Sequence, residues 1–423
     1  MPWVPLILIV LVLLGAPLFA VIATSAIVGF HGQGTDLSVI ASDFFQLSET
    51  PVLVAIPLFT YAGFVLSAGE APRRLVRLSQ ALLGWFPGGL AIVTLVSCAL
   101  FTAFTGASGV TIIALGSLFH PALMQAGYEE RFSLGLNTAS GSLGLLFAPS
   151  LPLILYGVVA MAPIDDLFVA GVLPGVLILL MLTAYSYWRN RGARYALTER
   201  SGREVWAAIK GARWDLPLPV VVLGGIYSGY FAVSEAAAVT ALYVTIVELA
   251  VLREVKWRAL PGIMRESMVL VGAIFIILGV SLASTSYMID AGVPQALFAS
   301  VSSFVTGPRS FLLVLLVFLL ILGAILDIFS ATVLVVPLIL PIAAQYGIDS
   351  IHYAMVILLA MGIGIFIPPI GICFYISCAV AESDVEATAK TMLPYLAILI
   401  VGVLAVAFVP WFTHAVPKLL GAP

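Results

Sequence analysis

The sequence predicts an all-α protein that crosses a membrane many times. Of its 423 residues, 62% are hydrophobic and only 9% are charged, whereas soluble domains carry about 25% charged residues. The apolar runs are long and do not alternate with polar residues, as the strands of a membrane barrel would over about ten residues. The three cysteines all lie in apolar runs without metal or disulfide spacing. We therefore expect a polytopic helical membrane protein.

The basic residues predict which loops face the cytoplasm. Eleven of the 18 Lys and Arg residues lie in two segments, 189–213 and 253–265, and the positive-inside rule places both in the cytoplasm. Three more arginines fall within APRRLVRLSQALLGW (71–85), which predicts a helix lying in the membrane interface. The loop at 31–50 carries acidic residues and no Lys or Arg, so we expect it on the opposite side.

The first half of the chain, residues 1–187, contains scaffold helices, a hairpin and a broken helix. Residues 87–126 are two apolar runs that meet at FTGASG (104–109), and the flanking basic residues predict a re-entrant hairpin on the cytoplasmic side. Residues 132–162 then cross the membrane through GSLGLLFAPSLP (141–152). Two glycines and two prolines in this stretch predict a break in the helix.

The second half repeats this plan upside down. A cytoplasmic basic loop, 188–213, precedes the second repeat, 214–423. The repeat has a hairpin at 308–346, interrupted by GAILDIFSA, and a broken helix at 350–381, interrupted by MGIGIFIPPIG. A last helix is expected at 391–414.

A constant shift relates the two halves. Four pairs of glycines and prolines coincide without a gap when the first half is shifted by 220 residues: Pro121 with Pro341, Gly127 with Gly347, Gly144 with Gly364, and Pro149 with Pro369. Because the two copies start from opposite sides of the membrane, they predict an inverted repeat. In secondary transporters such repeats place the binding site at the bilayer midplane, beside broken helices.

Helix ends inside the membrane predict where a cation would bind. A helix that ends there presents carbonyl groups with a partial negative charge, which suits Na⁺. We predict one Na⁺ site at the first hairpin tip and helix break and a second in the other repeat. The first comprises Thr105, Gly106, Ser108, Ser142 and Gly144, and the second comprises Gly323, Leu326, Asp327, Gly362 and Gly364.

A helix that begins inside the membrane presents free N–H groups, which suit a carboxylate. We predict that an anionic substrate lies near Ser108, Asn137, Pro149, Ser150, Ser330 and Pro369. Two interpretations stay open. Serine and threonine in membrane helices usually bond to a backbone carbonyl or a neighbouring helix. A carboxylate at mid-helix costs ~2.5–3.5 kcal/mol to insert, so Asp327 either lies near the cation or substrate path or caps the hairpin tip.

Several phrases resemble one family, the large membrane subunit (dicarboxylate-type M subunit) of tripartite ATP-independent periplasmic (TRAP) transporters. The most specific are GASGVTIIALGSLFHPALMQAGY and ERFSLGLNTASGSLGLLFAPSLPLILYG, and the resemblance covers nearly the whole chain. It implies a Na⁺-driven secondary transporter of the bacterial or archaeal cytoplasmic membrane, with an elevator-type transport domain carried by a scaffold. It also implies ion sites at the hairpin tips and helix breaks.

The same resemblance implies two protein partners. One is a periplasmic substrate-binding protein that delivers an organic acid such as a C4-dicarboxylate or sialic acid. The other is a four-helix membrane subunit, expected as a separate chain because this sequence has no spare helices. Na⁺ is the expected coupling ion. No organic cofactor is expected, and the phosphate-binding pattern G-x-x-x-x-G-K-[ST] does not occur in the sequence.

Two other functions share parts of this sequence pattern. A one-component Na⁺-coupled carboxylate or ion permease would share the hairpin plan. An intramembrane serine protease would use Ser108, because GASG has the form of a serine nucleophile motif. That chemistry also needs a histidine base within hydrogen-bond reach, and no histidine lies in the middle of a predicted span. The sequence therefore predicts a transporter and not an enzyme.

Overall fold

The computed structural model describes residues 7–419 except 9, 12, 13, 87, 192–200 and 304, and no strand occurs in that part of the chain. The first half contains α1 (Leu18–Gln33), α2 (Ser38–Gln46), α3 (Ala55–Ala68), α4 (Ala71–Leu83), α5 (Gly89–Thr105), α6 (Ser108–Thr111), α7 (Ser117–Gln125), α8 (Glu130–Ser140), α9 (Leu151–Val159) and α10 (Ile164–Asn190). The second half contains α11 (Gly202–Gly211), α12 (Pro217–Tyr227), α13 (Val233–Ile246), α14 (Leu260–Asp290), α15 (Val293–Ser302), α16 (Pro308–Ile325), α17 (Ile328–Gln345), α18 (Ser350–Gly364), α19 (Ile372–Val380), α20 (Val385–Phe408) and α21 (Trp411–Leu419). The predicted N-terminal span and the basic loop 188–213 lie partly outside the described residues, as does the first residue of the hairpin predicted at 87–126.

Within the described residues, seven helical segments are long and apolar enough to cross a membrane. An eighth span results if Glu130–Leu146 and Leu151–Val159, which are inclined by 45° at the predicted break, count as one. The fold class predicted from composition, an all-α polytopic membrane protein, is confirmed. The amphipathic helix predicted around the three arginines is present as α4.

Each hairpin turns within two residues. The first turns at 106–107, between α5 and α6, and the second turns at 326–327, between α16 and α17. Gly106 has φ 65°, a left-handed conformation that glycine adopts without steric cost. The second arm of the first hairpin is continued by a π-helical turn, Ile112–Gly116, before α7.

Both broken helices are interrupted where glycine and proline predict it. A 3₁₀ turn, Leu143–Leu146, follows α8, and α9 begins at Leu151. In the second repeat α18 ends at Gly364 and α19 begins at Ile372. Both breaks contain a cis peptide bond before proline, Ala148-Pro149 and Pro368-Pro369.

The 220-residue shift found in the sequence also relates the helix boundaries. The ends of α5 and α16, the starts of α6 and α17, the ends of α7 and α17, and the starts of α8 and α18 are each 220 residues apart. Gly127 and Gly347, which follow the two hairpins, have φ values of 90° and 76°. The repeat is therefore present in the backbone as well as in the sequence.

The two repeats exchange packing partners. The first arm of each hairpin packs against the first half of its own repeat's broken helix, α5 against α8 and α16 against α18. The second arm of each hairpin also contacts the second half of the other repeat's broken helix. The arm of the first hairpin contacts α19 of the second repeat, and α17 of the second hairpin contacts α9 of the first.

The hairpins and broken helices of both repeats form one interlocked unit, and a second group of helices lies against it. In it α3 packs against α13 and α14, and α14 packs against α1. The groups meet where α3 contacts α5 and where α14 contacts α17. Helix α4 connects α3 to the first hairpin and packs against α11.

The C-terminal helix differs from the prediction of 391–414. Helix α20 begins earlier because the Asp384 side chain caps it, accepting hydrogen bonds from the backbone N–H groups of Glu386 and Ala387 at 3.2 and 3.4 Å. It ends at Phe408, and α21 follows Pro410 as a separate helix. Local capping thus set a boundary that hydropathy alone placed too late.

Candidate functional site

The first hairpin tip contains a buried cluster of threonine hydroxyls. Thr102 Oγ1 lies 2.8 Å from Thr111 Oγ1 and 3.2 Å from the carbonyl oxygen of Gly141. Thr105 Oγ1 lies 3.5 Å from Thr111 Oγ1. All three threonine side chains are fully buried. The cluster therefore joins both hairpin arms to the start of the helix break at Gly141.

Gly144 brings the break against the first hairpin. A Cβ atom on Gly144 would lie 2.3 Å from the carbonyl oxygen of Ala99 and 2.5 Å from the amide nitrogen of Ala103. Real Cβ atoms essentially never approach other atoms closer than 3.0 Å, so only glycine permits this contact. The Gly144 carbonyl accepts a hydrogen bond from Phe147 N–H at 3.1 Å.

Gly364 makes the equivalent contact in the second repeat. A Cβ atom there would lie 2.7 Å from the Cα of Gly323 and 2.9 Å from the carbonyl oxygen of Leu320. Gly323 lies 220 residues after Ala103, as Gly364 does after Gly144. The same close approach between break and hairpin therefore occurs in both repeats.

The two breaks also touch each other. A Cβ atom on Gly362 would lie 3.0 Å from Leu145 Cδ1 and 3.7 Å from Ser142 Cβ. Ser142, a half-buried residue, begins the 3₁₀ turn of the first break. Among the residues predicted for the two cation sites, these contacts bring Ser142 to Gly362 and Gly323 to Gly364.

Asp327 caps the second arm of its hairpin. Its Oδ2 accepts hydrogen bonds from the backbone N–H groups of Phe329 and Ser330, both at 3.0 Å. The Ser330 hydroxyl donates to Oδ1. Asp327 thus caps α17, as one of its two interpretations predicted. The side chain is exposed on the protein surface at the tip, between helix α16, which ends, and α17, which begins.

The predicted substrate residues occupy two kinds of position. Ser150 directly precedes α9, Ser108 begins α6 and Ser330 lies in the first turn of α17, and all three are buried. The Ser150 hydroxyl donates to the carbonyl of Leu145 and so links the start of α9 to the 3₁₀ turn of the break. Pro149 is buried, whereas Pro369 is exposed.

Asn137 lies deeper, against the π-helical turn of the first hairpin. A Cβ atom on Gly116 would come within 2.5 Å of Asn137 Nδ2. Its side chain is 2% exposed, and its Oδ1 is a buried atom without a hydrogen-bond partner. An unsatisfied buried acceptor is costly, and π-helical turns are frequent at functional sites.

The site is built from uncharged oxygen atoms. In the described part of the chain, no group of three or more His, Cys, Asp or Glu side chains is placed to hold a metal ion. Sequence reasoning did not single out Thr102 and Thr111, because a hydroxyl in a membrane helix usually bonds to its own backbone. Thr102 does so with Cys98 as well, at 2.8 Å. The available signal was that both lie within one helical turn of the hairpin tip.

The sequence model of one family, described as the DctM component of the tripartite ATP-independent periplasmic transporter, matches residues 6–412. The chain belongs to the DctM family. The C4-dicarboxylate TRAP transporter large permease protein of Pseudomonas aeruginosa is 34% identical over 90% of this chain and 90% of its own length. The isethionate TRAP transporter permease protein DctMQ of Oleidesulfovibrio alaskensis is 33% identical over 87% of this chain, which spans only 58% of that longer protein.

A solved structure shares the fold of this DctM-family chain. The YdaH transporter of Alcanivorax borkumensis superposes with a TM-score of 0.60 over 89% of this chain and 88% of that one, at 15% sequence identity. The chain is therefore the large permease subunit of a TRAP transporter, a multi-pass protein of the inner membrane and not an enzyme. The alternative of a serine protease at Ser108 is wrong, because the chain's relatives are transporter permeases.

Proposed function

We propose that this subunit carries out Na⁺-coupled uptake of an organic acid handed over by a periplasmic binding protein. The observation that carries the proposal is the repeated contact between hairpin tip and broken helix, with Gly144 and Gly364 at equivalent positions. The contact places helix C-termini, whose carbonyl groups favour a cation, near helix N-termini, whose N–H groups favour an anion. A carrier that moves a cation together with an anion needs both kinds of helix end.

The oxygen atoms at the first tip suit Na⁺. The hydroxyls of Thr102, Thr105 and Thr111 lie 2.8 to 3.5 Å apart near the end of α5, and Thr102 Oγ1 lies 3.2 Å from the Gly141 carbonyl oxygen. All are neutral hard oxygen ligands, and no carboxylate competes for a divalent ion in this cluster. We propose the same role for the carbonyls at the end of α16, beside Asp327, in the second repeat.

The substrate is proposed to be an organic anion. The N-termini of α6 and α17 begin at the two tips, and exposed N–H groups at a helix start attract negative charge. Relatives are named for C4-dicarboxylate, for isethionate and for ectoine, and each of these compounds carries an acidic group. The names therefore support a cargo with a carboxylate or sulfonate group without selecting one.

Membrane voltage supplies the drive. A net positive charge that moves inward under an inside-negative potential gains about 2.3 kcal/mol per 100 mV. Coupling more Na⁺ ions than substrate charges therefore makes uptake favourable without nucleotide hydrolysis, consistent with the ATP-independent family description.

An elevator mechanism is proposed from the two helix groups. The interlocked unit of hairpins and broken helices would move against the group formed by α1, α3, α13 and α14. Gly63 on α3 lies at the boundary, where a Cβ atom would come within 2.8 Å of the Phe104 carbonyl and 3.0 Å of Thr105 Cα. Because Gly63 has no side chain, the surface of α3 at this contact would let the first hairpin tip slide past it.

Two partners complete the proposal. The family is described as one component of a tripartite transporter, which supports a periplasmic binding protein and a small membrane subunit. The longer DctMQ relative supports association of the large subunit with a second membrane part.

Reconstitution tests the function. The large and small subunits are incorporated into proteoliposomes, and the binding protein is added to the solution. Uptake of labelled organic acids is then followed with an inward Na⁺ gradient. We expect uptake only when Na⁺ and the binding protein are both present. Uptake that is equally fast without the binding protein would favour a one-component permease, and uptake that is equally fast with K⁺ replacing Na⁺ would refute the coupling.

A further inference from the structure

Four charged side chains form a buried cluster far from the hairpin tips. Arg74 on α4 meets Asp215, which precedes α12, and Glu248 and Glu254, which lie in and after the π-helical turn Val247–Val251. Their side chains are 13%, 6%, 0% and 22% exposed, respectively. The cluster therefore holds three carboxyl groups and one guanidinium away from bulk water.

The guanidinium has no hydrogen-bond donor to spare. Arg74 Nε donates to Asp215 Oδ2 at 2.6 Å, and Nη2 donates to Asp215 Oδ1 at 3.0 Å and to Glu248 Oε1 at 2.9 Å. Nη1 donates to both oxygens of Glu254. These contacts use all five N–H groups of an arginine, so Glu248 receives a single hydrogen bond.

One carboxyl oxygen is left over. Glu248 Oε2 is buried and has no hydrogen-bond partner. It lies against the backbone at Gly69, where an added Cβ atom would come within 2.4 Å of it. An ionised carboxylate with a buried, unpartnered oxygen is costly, and three ionised carboxylates around one arginine leave two uncompensated charges.

We propose that Glu248 is a proton-binding site, with the proton held on its buried oxygen Oε2. Glu254 lies on the same guanidinium, because Nη1 of Arg74 donates to Glu254 and Nη2 donates to Glu248 Oε1. A proton taken from the aqueous side forms the Oε2–H bond, satisfies the orphaned oxygen and lowers the cluster's net charge from two negative to one. No further co-reactant is needed.

The other two carboxylates are better placed to stay ionised. Both oxygens of Asp215 accept from Arg74; burial raises the pKa of Asp215, and the guanidinium opposes that effect. Burial also acts to raise the pKa of Glu254, but the backbone N–H of Glu70, at 2.8 Å, and Arg74 outweigh it and lower the pKa.

The remaining titratable groups nearby are engaged elsewhere. The hydroxyl of Tyr243 donates to the carbonyl of Trp214 at 2.8 Å, and that of Tyr61 on α3 lies 2.9 Å from Thr245 Oγ1. The Glu70 side chain pairs with the exposed Arg73.

The proton would control how firmly α4 is held. Arg74 ties α4 to the segments around α12 and α13, on the side that the basic residues predict to be cytoplasmic. Loss of the proton adds a second uncompensated negative charge beside Gly69, at the joint between α3 and α4. The attachment of the helix that leads into the first hairpin therefore becomes sensitive to cytoplasmic pH.

Infrared spectroscopy of the purified protein in lipid nanodiscs tests the site. We expect the carbonyl-stretch band of a protonated carboxyl group at neutral pH in the wild type and in the control Glu266→Gln, an exposed position on α14. The band should be lost in Glu248→Gln, whose amide keeps the size of the side chain but has no carboxyl group to protonate. Survival of the band in Glu248→Gln together with its loss in Asp215→Asn would place the proton on Asp215 and overturn the proposal.

Thermal stability gives a second readout. The folded protein keeps a proton that the unfolded chain has released, so raising the pH from about 5 to about 8 should lower this site's contribution to the midpoint of the wild type. Glu248→Gln should remove that part of the pH dependence, whereas Glu266→Gln should retain it. A midpoint that rises with added Na⁺ or K⁺, without the infrared band, would show a cation in place of the proton and would also overturn the proposal.

Discussion

Replacing Gly144 or Gly364 by alanine tests whether the contact between break and hairpin positions the ion site. In Gly144→Ala the new methyl group would lie 2.3 Å from the Ala99 carbonyl oxygen, whereas ordinary contacts begin at 3.4 Å. The break must therefore move from the hairpin by about 1 Å. Gly364→Ala produces a milder overlap, 2.7 Å, with Gly323 in the second repeat.

The overlap sets the size of the expected effect. Inserting an extra methyl group into a packed site costs about 1–3 kcal/mol. If this energy is lost entirely from the free energy of Na⁺ binding, the affinity for Na⁺ falls by about 5- to 150-fold. We expect the Na⁺ concentration for half-maximal uptake to rise by that factor in Gly144→Ala and by the lower end of the range in Gly364→Ala.

The assay is Na⁺-dependent uptake by reconstituted proteoliposomes over a series of Na⁺ concentrations, with the thermal midpoint measured on the same preparations. Gly272→Ala on α14 is the matched control, because a Cβ atom there meets nothing within 4 Å. It should leave uptake unchanged and, as a glycine-to-alanine change in a helix, should stabilise the protein slightly. An unchanged Na⁺ dependence in both test variants, in folded protein, would refute the reasoning.

Three further changes probe other parts of the site. Asp327→Asn should keep the cap and the thermal midpoint, because Asn and Asp cap helices equally well; loss of uptake in this folded variant would show that the charge has a role beyond capping, and full uptake would limit it to the cap. Thr102→Val should weaken Na⁺ activation several-fold, since one buried hydrogen bond contributes about 1 kcal/mol, while Thr102→Ser restores it; equal Na⁺ curves for both would contradict a hydroxyl ligand. Gly63→Ala, whose Cβ would lie 2.8 Å from the Phe104 carbonyl, should lower the maximal uptake rate with little change in Na⁺ activation, and an unchanged rate would argue against sliding at this contact.

The hairpins and breaks could be predicted because their signals are local. Glycine and proline interrupt apolar runs at 106, 144 and 149 in the first repeat, and Gly364 and Pro369 interrupt the second repeat at the equivalents of 144 and 149. Gly364 falls at the same place as Gly144 because the backbone of the broken helix must approach a hairpin in both copies. Local chain chemistry is enough to locate such features.

Other features depend on residues distant in the sequence. The three arginines of α4 look alike in the sequence, yet only Arg74 was found inside a cluster with carboxylates 141 to 180 residues away. Amphipathic patterning predicts the helix but not which arginine points inward. Thr102 was overlooked for a similar reason, because its contact with the Gly141 carbonyl, 39 residues away, exists only after the hairpin docks.

The exchange of arms between the two repeats has a consequence for how the protein is assembled. Each repeat's broken helix has its second half covered by the other repeat, since α9 packs against α17 and α19 packs against the first hairpin. Either half of the chain alone leaves these faces without their partner, although α17 keeps its contacts with α14 and α18 of its own half. Chains cut between Asn190 and Gly202 should therefore give a more stable protein when both fragments are made together than when either is made alone.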